Sequence, residues 1–402
     1  MSVEGWQEIS LGNILFSRND KSKQIKSSEY LKNGSYPIID QSSDFICGYC
    51  DDIKKVISNG LPYIVFGDHT RHTKFIDFPF VVGADGTQII KSTKEVDDLF
   101  FFYLVLYAAE RIGNYGYDRH FKHLKQFICD YPIDQSEQTQ IATILSTIDR
   151  AIEQTEALIA KQQRIKTGLM QDLLTKGIDE NGNIRSEETH KFKDSPLGRI
   201  PVEWEVKPLA SVAEIIMGQS PQGYTYNQIG EGTPLINGPT EFGTRYIERV
   251  NQWTTSPTKL CKRGDVLFCV RGSTTGRINI ANDVYCIGRG LAAIREVKNK
   301  SINSFLELFL TQLVEQLFSE ASGSGSTFPS ITSNRLSATL ILVPSIEEQN
   351  QIVLIINSYD RHICTEETHL NKLHSLKTGL MQDLLTGKVR VTDLLNQKTA
   401  AN

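Results

Sequence analysis

Basic and hydroxyl side chains gather in a few glycine-punctuated stretches. GDHTRHTK at 67–74 carries His69, Arg71, His72 and Lys74, and YDRHFKHLKQ at 117–126 carries Arg119, His120, Lys122, His123 and Lys125. Later, VRGSTTGR at 270–277 offers Arg271, Ser273, Thr274, Thr275 and Arg277. Arg289 and the GSGST run with Ser324, Ser326 and Thr327 follow. Lysine and arginine neutralise phosphates, and arginine can bind a guanine edge through two parallel hydrogen bonds. The bland alternative is a set of solvated surface loops.

Motifs for bond-making chemistry fail their context tests. Cys47-x2-Cys50 followed by His69-x2-His72 has the letters of a metal site, but the spacing suits no standard zinc finger and no βαβ context for a redox pair appears. Two cysteines flanking a strand turn is the better reading. Gly288-x-Gly290-x2-Ala293 spells a dinucleotide fingerprint but leads into the strand-like run Ile294–Val297 instead of a helix. There is no GxxxxGK[ST] phosphate loop and no N-P-P-[FY] adenine-methylase motif.

The elements that must position these loops are announced by an internal repeat. KTGLMQDLLT at 166–175 recurs unchanged at 377–386, an offset of 211 positions. The same offset relates Glu137-Gln138 to Glu348-Gln349 and Asp149-Arg150 to Asp360-Arg361, so the repeated unit is longer than the identical core. Both copies read as long helices. In the first, Ile141, Ile144, Ile148, Ala151, Thr155, Leu158, Gln162, Ile165 and Leu169 form a seam at alternating three and four spacing, widened by Leu145, Ile152, Ile159 and Leu173. A proline-free helix from Glu137 to Thr175 would be roughly 58 Å long, too long for one small domain to bury. The second copy is the natural partner, in an antiparallel coiled coil. Its seam, Ile352, Ile355, Tyr359, His362, Glu366, His369, Leu373, Leu376 and Leu380, is polar in the middle. Polar seam residues fix register, a simpler account of His362, Glu366 and His369 than a metal site. Gly168 and Gly379 interrupt each helix, a costly choice unless another backbone packs closely.

The 402 residues suit two or three domains. Forty per cent hydrophobic and 22% charged residues are ordinary for a soluble protein. A net charge of -4 excludes a bulk polycation, so any nucleic-acid contact must come from local patches. Seven scattered cysteines, the lack of an apolar start and an apolar run (Leu99–Ala109) too short to span a bilayer point to a reducing, cytoplasmic setting without a membrane. The chain divides into a globular unit at 1–134, a helical spacer at 135–176, a polar linker at 177–197, a second globular unit at 198–345 and a closing helical spacer and tail at 346–402. The two globular units echo each other: Trp6 and Trp204 open them. Tyr36–Asp40 parallels Thr233–Asn237, Leu61–Phe66 parallels Asp265–Val270, and the apolar helix Leu99–Arg111 parallels Phe305–Leu317.

SPLGRIPVEWEV at 195–206, the paired Glu-Gln helix starts, the paired KTGLMQDLLT ends and the closing TGKVRV at 386–391 are similar to the specificity subunits of type I restriction-modification systems, over the whole length. The resemblance implies an α+β protein: two mixed α/β target-recognition domains joined by long helices pairing as an antiparallel coiled coil. It implies that each domain reads one part of a split, asymmetric site in double-stranded DNA. The helices would separate the domains and bind two modification subunits, which carry S-adenosylmethionine and methylate adenine. Restriction subunits, when present, would cut with ATP and Mg2+, and the chain itself would hold no cofactor and no catalytic residue. On this reading the DNA contacts are sought in His69, Arg71, His72, Lys74, Arg119, Lys122, Lys125, Arg271, Thr274, Thr275, Arg277, Arg289, Ser326 and Thr327. Docking of partner subunits is sought at Gly168, Met170, Gly379 and Met381. The competing class is a two-headed coiled-coil scaffold that binds proteins without touching DNA.

Overall fold

A computed structural model of the chain describes residues 3–18, 21–84, 86–93, 95–113, 119–322 and 330–392. The chain forms two compact units, and neither is a continuous segment: the first comprises 1–158 with 366–402, the second 159–365. Each unit therefore takes one globular part, the start of the long helix that follows it, and the end of the other long helix.

In the first unit β1 (Trp6–Ser10) and β9 (Ile128–Pro132) form an antiparallel pair at the base. Between them lie β2 (Leu15–Ser17), β3 (Tyr36–Ile39), β4 (Gly48–Cys50), β5 (Tyr63–Gly67), β6 (Thr73–Ile76), β7 (Val81–Val82) and β8 (Thr87–Ser92), followed by helices α1 (Asp98–Arg111) and α2 (His120–Gln126). The strands make an antiparallel sheet of order β2-β8-β5-β6 and a small sheet β4-β3-β7 whose β3–β7 pairing is parallel. Strand β5 is buried along its whole length, so it reads as a continuous apolar run, YIVF, instead of alternating. Helix α1 begins at Asp97, whose carboxylate accepts from the Leu99 and Phe100 amides. It packs Phe100, Phe101, Tyr103, Leu104 and Val105 into the core behind the first sheet.

Helix α3 (Gln135–Thr175) follows. The second unit opens with the hairpin β10 (Phe192–Ser195) and β11 (Gly198–Pro201), then β12 (Glu205–Pro208), the short helix α4 (Leu209–Val212) and β13 (Ala213–Met217). Strands β14 (Tyr226–Asn227), β15 (Thr233–Ile236), β16 (Trp253–Thr254), β17 (Leu260–Cys261), β18 (Val266–Cys269), β19 (Ile278–Ile280), β20 (Tyr285–Ile287) and β21 (Leu291–Glu296) precede α5 (Asn303–Ser322), α6 (Ser333–Ala338), β22 (Leu340–Val343) and helix α7 (Ile346–Leu384). Its main sheet, β13-β21-β18-β19, has the strand order of β2-β8-β5-β6. The parallel pair β15–β20 repeats β3–β7, and β12–β22 repeats β1–β9. The two units thus share one topology. The stretch expected to be a polar linker, 177–197, is partly structured: Ile178 bridges Ile184 and is buried in the core with Trp204, and Phe192–Ser195 form β10.

The long helices confirm the antiparallel pairing but correct the seam. In α3 the buried side chains along the seam include Ile141, Leu145, Ile152, Thr155, Ile159 and Leu173, while Leu158 and Ile165 are about 40% exposed. In α7 they include Ile352, Ile356, Ile363 and Leu384, at the same offset of 211. Ile141 and Thr155 keep their expected places, but the alternate positions move by one, onto Leu145, Ile152, Ile159 and Leu173, the residues expected only to widen the seam. A three-four repeat fits two phases, and this one places Lys166 and Lys377 on the seam. That looks unfavourable until their partners are seen: Lys166 pairs with Asp360 in the second unit and Lys377 with Asp149 in the first. His362 and His369 are consequently solvent-facing, and among the described residues no group of three or more His, Cys, Asp or Glu is placed to hold a metal ion.

Both helix ends are clasped by the globular part of their unit. The chain leaves α3 at Gly177 with φ 64°, where a Cβ would collide with Trp204 and Glu348. Glu348, at the start of α7, accepts from the Ile178 amide, the Trp204 indole and the Arg185 guanidinium. In the first unit the chain leaves α7 through Gly387, φ 67°, against Trp6, and Glu137 accepts from Arg390 Nε and Nη2 at 2.7 and 2.8 Å. The repeated Gln138 and Gln349 cap the neighbouring elements in the same way, each accepting from a backbone amide, Asp97 or Ile302, and donating to the carbonyl of Pro132 or Pro344.

Candidate nucleic-acid interface

In the first unit three loops converge beside the main sheet. The β5–β6 loop, the β7–β8 turn and the segment entering α2 are fastened through Asp68, which is 1% exposed. Its amide donates to the Gly86 carbonyl (2.7 Å), its carbonyl accepts from the His120 amide (2.9 Å), and its carboxylate accepts from the Phe121 amide (2.9 Å). Buried polar groups that are fully bonded rigidify what they join. Gln41, after β3, adds a fourth strand of support by accepting from the His69 amide and lying 3.2 Å from His72 Nδ1.

The structure gathers several of the expected side chains on this rim. His69, His72 and Arg119 are exposed there, whereas Lys122 and Lys125, also exposed, lie further along α2, where the Lys125 carbonyl accepts from the Ser10 hydroxyl at the base. Lys125 lies over the Phe121 ring, 5.1 Å from its centroid. His120 is instead buried, with Nδ1 2.9 Å from the Asp68 carbonyl. Arg71 has a left-handed backbone, φ 63°, and its guanidinium donates to the Ile112 carbonyl at 2.8 Å, closing the C-terminus of α1. Lys74 is corrected: it is buried, and its ammonium donates to the carbonyls of Asp40 (2.9 Å) and Asp44. The reason is strand parity. Along β6, Lys74 and Ile76 point inward together. Burial pulls the Lys74 pKa below the ordinary lysine value.

A cleft of about 310 Å³ opens on the same rim, lined by Arg18, Lys21, His69, Gln88 and Arg119. Arg18 and Lys21 were not among the expected residues. Arg18 donates to the Tyr63 hydroxyl at 3.0 Å, which aims its guanidinium. Their signal was the basic run RNDKSK at 18–23, outside any glycine-rich stretch. Among the described residues the cysteine pair joins no group of three or more metal-capable side chains. Cys47 donates to Asp40 (2.8 Å) and Cys50 sits on β4 opposite Tyr36.

The second unit staples the same three loops by the same backbone bonds. The Val270 amide donates to the Gly290 carbonyl and its carbonyl accepts from Ile331, both at 2.9 Å, as Asp68 does with Gly86 and His120. Arg271, Arg277 and Arg289 are exposed on this rim, with Thr274 half-buried behind them. The Arg289 amide donates to the Ser220 hydroxyl (3.3 Å), tying the β20–β21 turn to the loop after β13. Thr275 is corrected: it is 5% exposed and donates to the Gly272 carbonyl, so it shapes the turn from inside. Ser324, Ser326 and Thr327 lie outside the described residues. The Gly288–Ala293 run passes straight into strand β21.

On the long helices Gly168 and Gly379 are exposed, and a Cβ at either would meet nothing. Met170 and Met381 do not share that outward face. Met170 packs partly against the core of the second unit, and Met381 is 3% exposed in the core of the first. They adjoin the seam, whereas the glycines are two positions further round the helix.

Two stretches, 3–162 and 201–375, match the model of the type I restriction modification DNA specificity domain. The proposed MjaX type I restriction enzyme specificity subunit of Methanocaldococcus jannaschii is 38% identical over 272 residues, 67% of this chain and 60% of that protein, so the match spans less than two thirds of that relative. The MjaVIII specificity subunit of the same organism is 25% identical over 97% of this chain and 94% of its own length. Among solved structures, one from a study of type I R-M complex assembly and conformational transition aligns with a TM-score of 0.63 at 22% identity, covering 97% of this chain and all of that one. The S subunit from M. genitalium aligns at 0.59 and 15% identity, covering 94% of this chain and 96% of that one, and both likenesses speak for the fold. The two matched stretches cover most of both globular parts and of both long helices, and on that ground the chain belongs to the type I restriction-modification DNA specificity family.

Proposed function

We propose that this chain is the sequence-reading subunit of a type I restriction-modification complex, with each unit's three-loop rim engaging one part of a bipartite, asymmetric site in double-stranded DNA. The observation that carries this reading is the pair of rims. They share a topology and the same stapling bonds, yet they present different side chains: His69, His72 and Arg119 on one, Arg271, Arg277 and Arg289 on the other. Equivalent scaffolds with unlike readers suit two unlike half-sites. Helices α3 and α7, continuous over 41 and 39 residues, each pass from one unit into the other and serve as the spacer.

The chain lends specificity and performs no chemistry in this reading. Two modification subunits, docked on the helical repeats around the exposed Gly168 and Gly379, carry S-adenosylmethionine and methylate adenine. Restriction subunits supply ATP- and Mg2+-dependent cleavage. The setting is the cytoplasm; no helix among the described residues is long and apolar enough to cross a membrane.

Sequencing methylated adenines in cells with and without the gene tests the reading. The expected result is one split motif, methylated once on each strand, that disappears with the gene. An unchanged methylation pattern, with protein partners still captured by the purified chain, favours the scaffold reading instead.

A further inference from the structure

Tyr224 and Ile229 stand apart among the large side chains: they are 89% and 84% exposed. The loop that presents them, between β13 and β15, is firmly held. Thr225 and Thr254, both buried, have their hydroxyls 2.8 Å apart, and the Thr255 amide donates to the Thr225 carbonyl. The Tyr226 hydroxyl donates to the Pro221 carbonyl (3.0 Å), and Asn227 accepts from the amides of Ile229 and Glu231. A fixed loop that leaves an aromatic ring in water forgoes roughly 2–3 kcal/mol of burial, so a partner surface is the natural place for that ring.

The loop also belongs to the reading rim. Ser220, four residues before Tyr224, accepts from the Arg289 amide. The Gln219 amide donates to the Ile287 carbonyl, two residues before Arg289. The counterpart loop in the first unit, between β2 and β3, also carries a tyrosine, but that ring is committed. Tyr30 donates to Asp40 (3.0 Å), accepts from the Ala84 amide (2.8 Å), and is partly buried. The asymmetry is between a tyrosine built into its domain and one held out from it.

The geometry points to Tyr224 as a wedge that stacks on or unstacks a base of duplex DNA in the half-site read by the second unit, with Ile229 as an apolar flank. Aromatic and apolar side chains inserted at a base step relieve stacking there and favour deformable pyrimidine–purine steps. This rests on the DNA-reading function proposed above.

The test uses the full chain with its modification subunits and a duplex bearing the site identified by methylation sequencing. Single adenines other than the methylated ones are replaced in turn by 2-aminopurine in both half-sites, and thymines other than those opposite a methylated adenine are probed with permanganate, because methylases flip their own target base. Wild-type complex should brighten 2-aminopurine or expose thymine in one half-site only. Tyr224→Ala should abolish that signal and weaken binding roughly ten- to hundredfold, while Tyr224→Phe, which keeps the ring, should retain it. Both changes lie in solvent, and an unchanged melting temperature will confirm folding. Specific binding with no unstacking in either half, or a Tyr224→Ala complex that matches wild type, overturns the wedge and leaves DNA reading standing. A Tyr224→Ala chain that fails to assemble with the modification subunits shows a protein contact and overturns it as well. Absence of any site-specific binding by wild type removes the wedge together with the reading on which it rests.

Discussion

Lys377 reaches across to Asp149 at 2.6 Å, and the identical copy of that lysine, Lys166, reaches Asp360, the identical copy of that aspartate. Each repeat supplies one lysine and one aspartate, and each uses them on the other repeat. This is why the two copies are alike at positions that are polar yet face the seam. A lysine on an apolar seam is tolerated when its long stem lies along the partner and its ammonium meets a charge.

Breaking either pair should loosen the helices locally. Asp149 also accepts from the Tyr103 hydroxyl at 2.7 Å, so it joins α1, α3 and α7. Burial and the Asp149 carboxylate both push the Tyr103 hydroxyl above its ordinary pKa. Asp149→Ala should therefore cost more than Lys377→Met. The side chains are 33% and 23% exposed, so the pair lies between surface and buried cases, and about 1–2 kcal/mol is expected for Lys377→Met. Hydrogen exchange in α7 near residue 377 measures it. The exchanged pair Asp149→Lys with Lys377→Asp should recover part of the loss; no recovery would mean that the stem packing, not the charge, matters.

The clasps on the two repeats should respond differently to one change. Trp204 donates to Glu348 at 2.9 Å, whereas among the described residues the buried Trp6 indole N–H has no hydrogen-bond partner. Both rings fill equivalent places. Trp204→Phe and Trp6→Phe remove the same volume, but only the first leaves a buried carboxylate short of a donor. The first should cost about 1–3 kcal/mol more than the second, read as the difference in hydrogen-exchange protection at the two helix starts. Equal losses would show that ring volume alone governs both clasps.

What was legible from the sequence was whatever local pattern encodes. The repeat, the helices, most strand cores and the doubling of the globular parts follow from spacing and apolar runs, and the structure bears them out: Tyr36–Ile39, Tyr63–Gly67 and Asp98–Arg111 fall where the runs predicted. What failed depended on distant partners. The seam phase turned on Asp149 and Asp360, about 200 residues from the lysines they meet. Lys74 reads as a phosphate ligand in GDHTRHTK, but strand parity sends it inward to the Asp40 and Asp44 carbonyls. Arg18 lies in the basic run RNDKSK but outside any glycine-rich stretch, Tyr224 lies in a stretch without a basic residue, and only the folded loops bring them to the rim.

Three buried thiols predict a stability loss in alkali. Burial pushes Cys129, Cys261 and Cys269 from 9.0 up to about 12. Since each folded-state pKa is raised, the folded protein holds those protons after the unfolded chain has released them. Stability is complete below about pH 9 and falls between there and pH 12, by about 1.4 kcal/mol per thiol per pH unit. Thermal unfolding followed from pH 8 to pH 11 measures the decline. Thiol labelling at pH 8 should modify the exposed Cys364 readily and spare these three. Rapid labelling of Cys129, Cys261 or Cys269 under native conditions would contradict the burial.

Arg71 and Arg271 occupy equivalent β-hairpin loops, and a comparison of the two separates a contact from a support. Arg271 is exposed, whereas Arg71 holds the Ile112 carbonyl from a left-handed backbone. Removing a cation that meets a phosphate lowers the salt dependence of binding by about one unit of slope and weakens binding to all sequences alike. Arg271→Ala should do this. Arg71→Ala should leave the slope unchanged, because its charge faces the protein, and should instead raise hydrogen exchange in residues 67–73 and at Ile112. If it weakens DNA binding, it should do so by disordering the loop that carries His69 and His72, and the loss should be the same at low and high salt. A reduced slope for Arg71→Ala would show that this guanidinium leaves Ile112 for the DNA on binding.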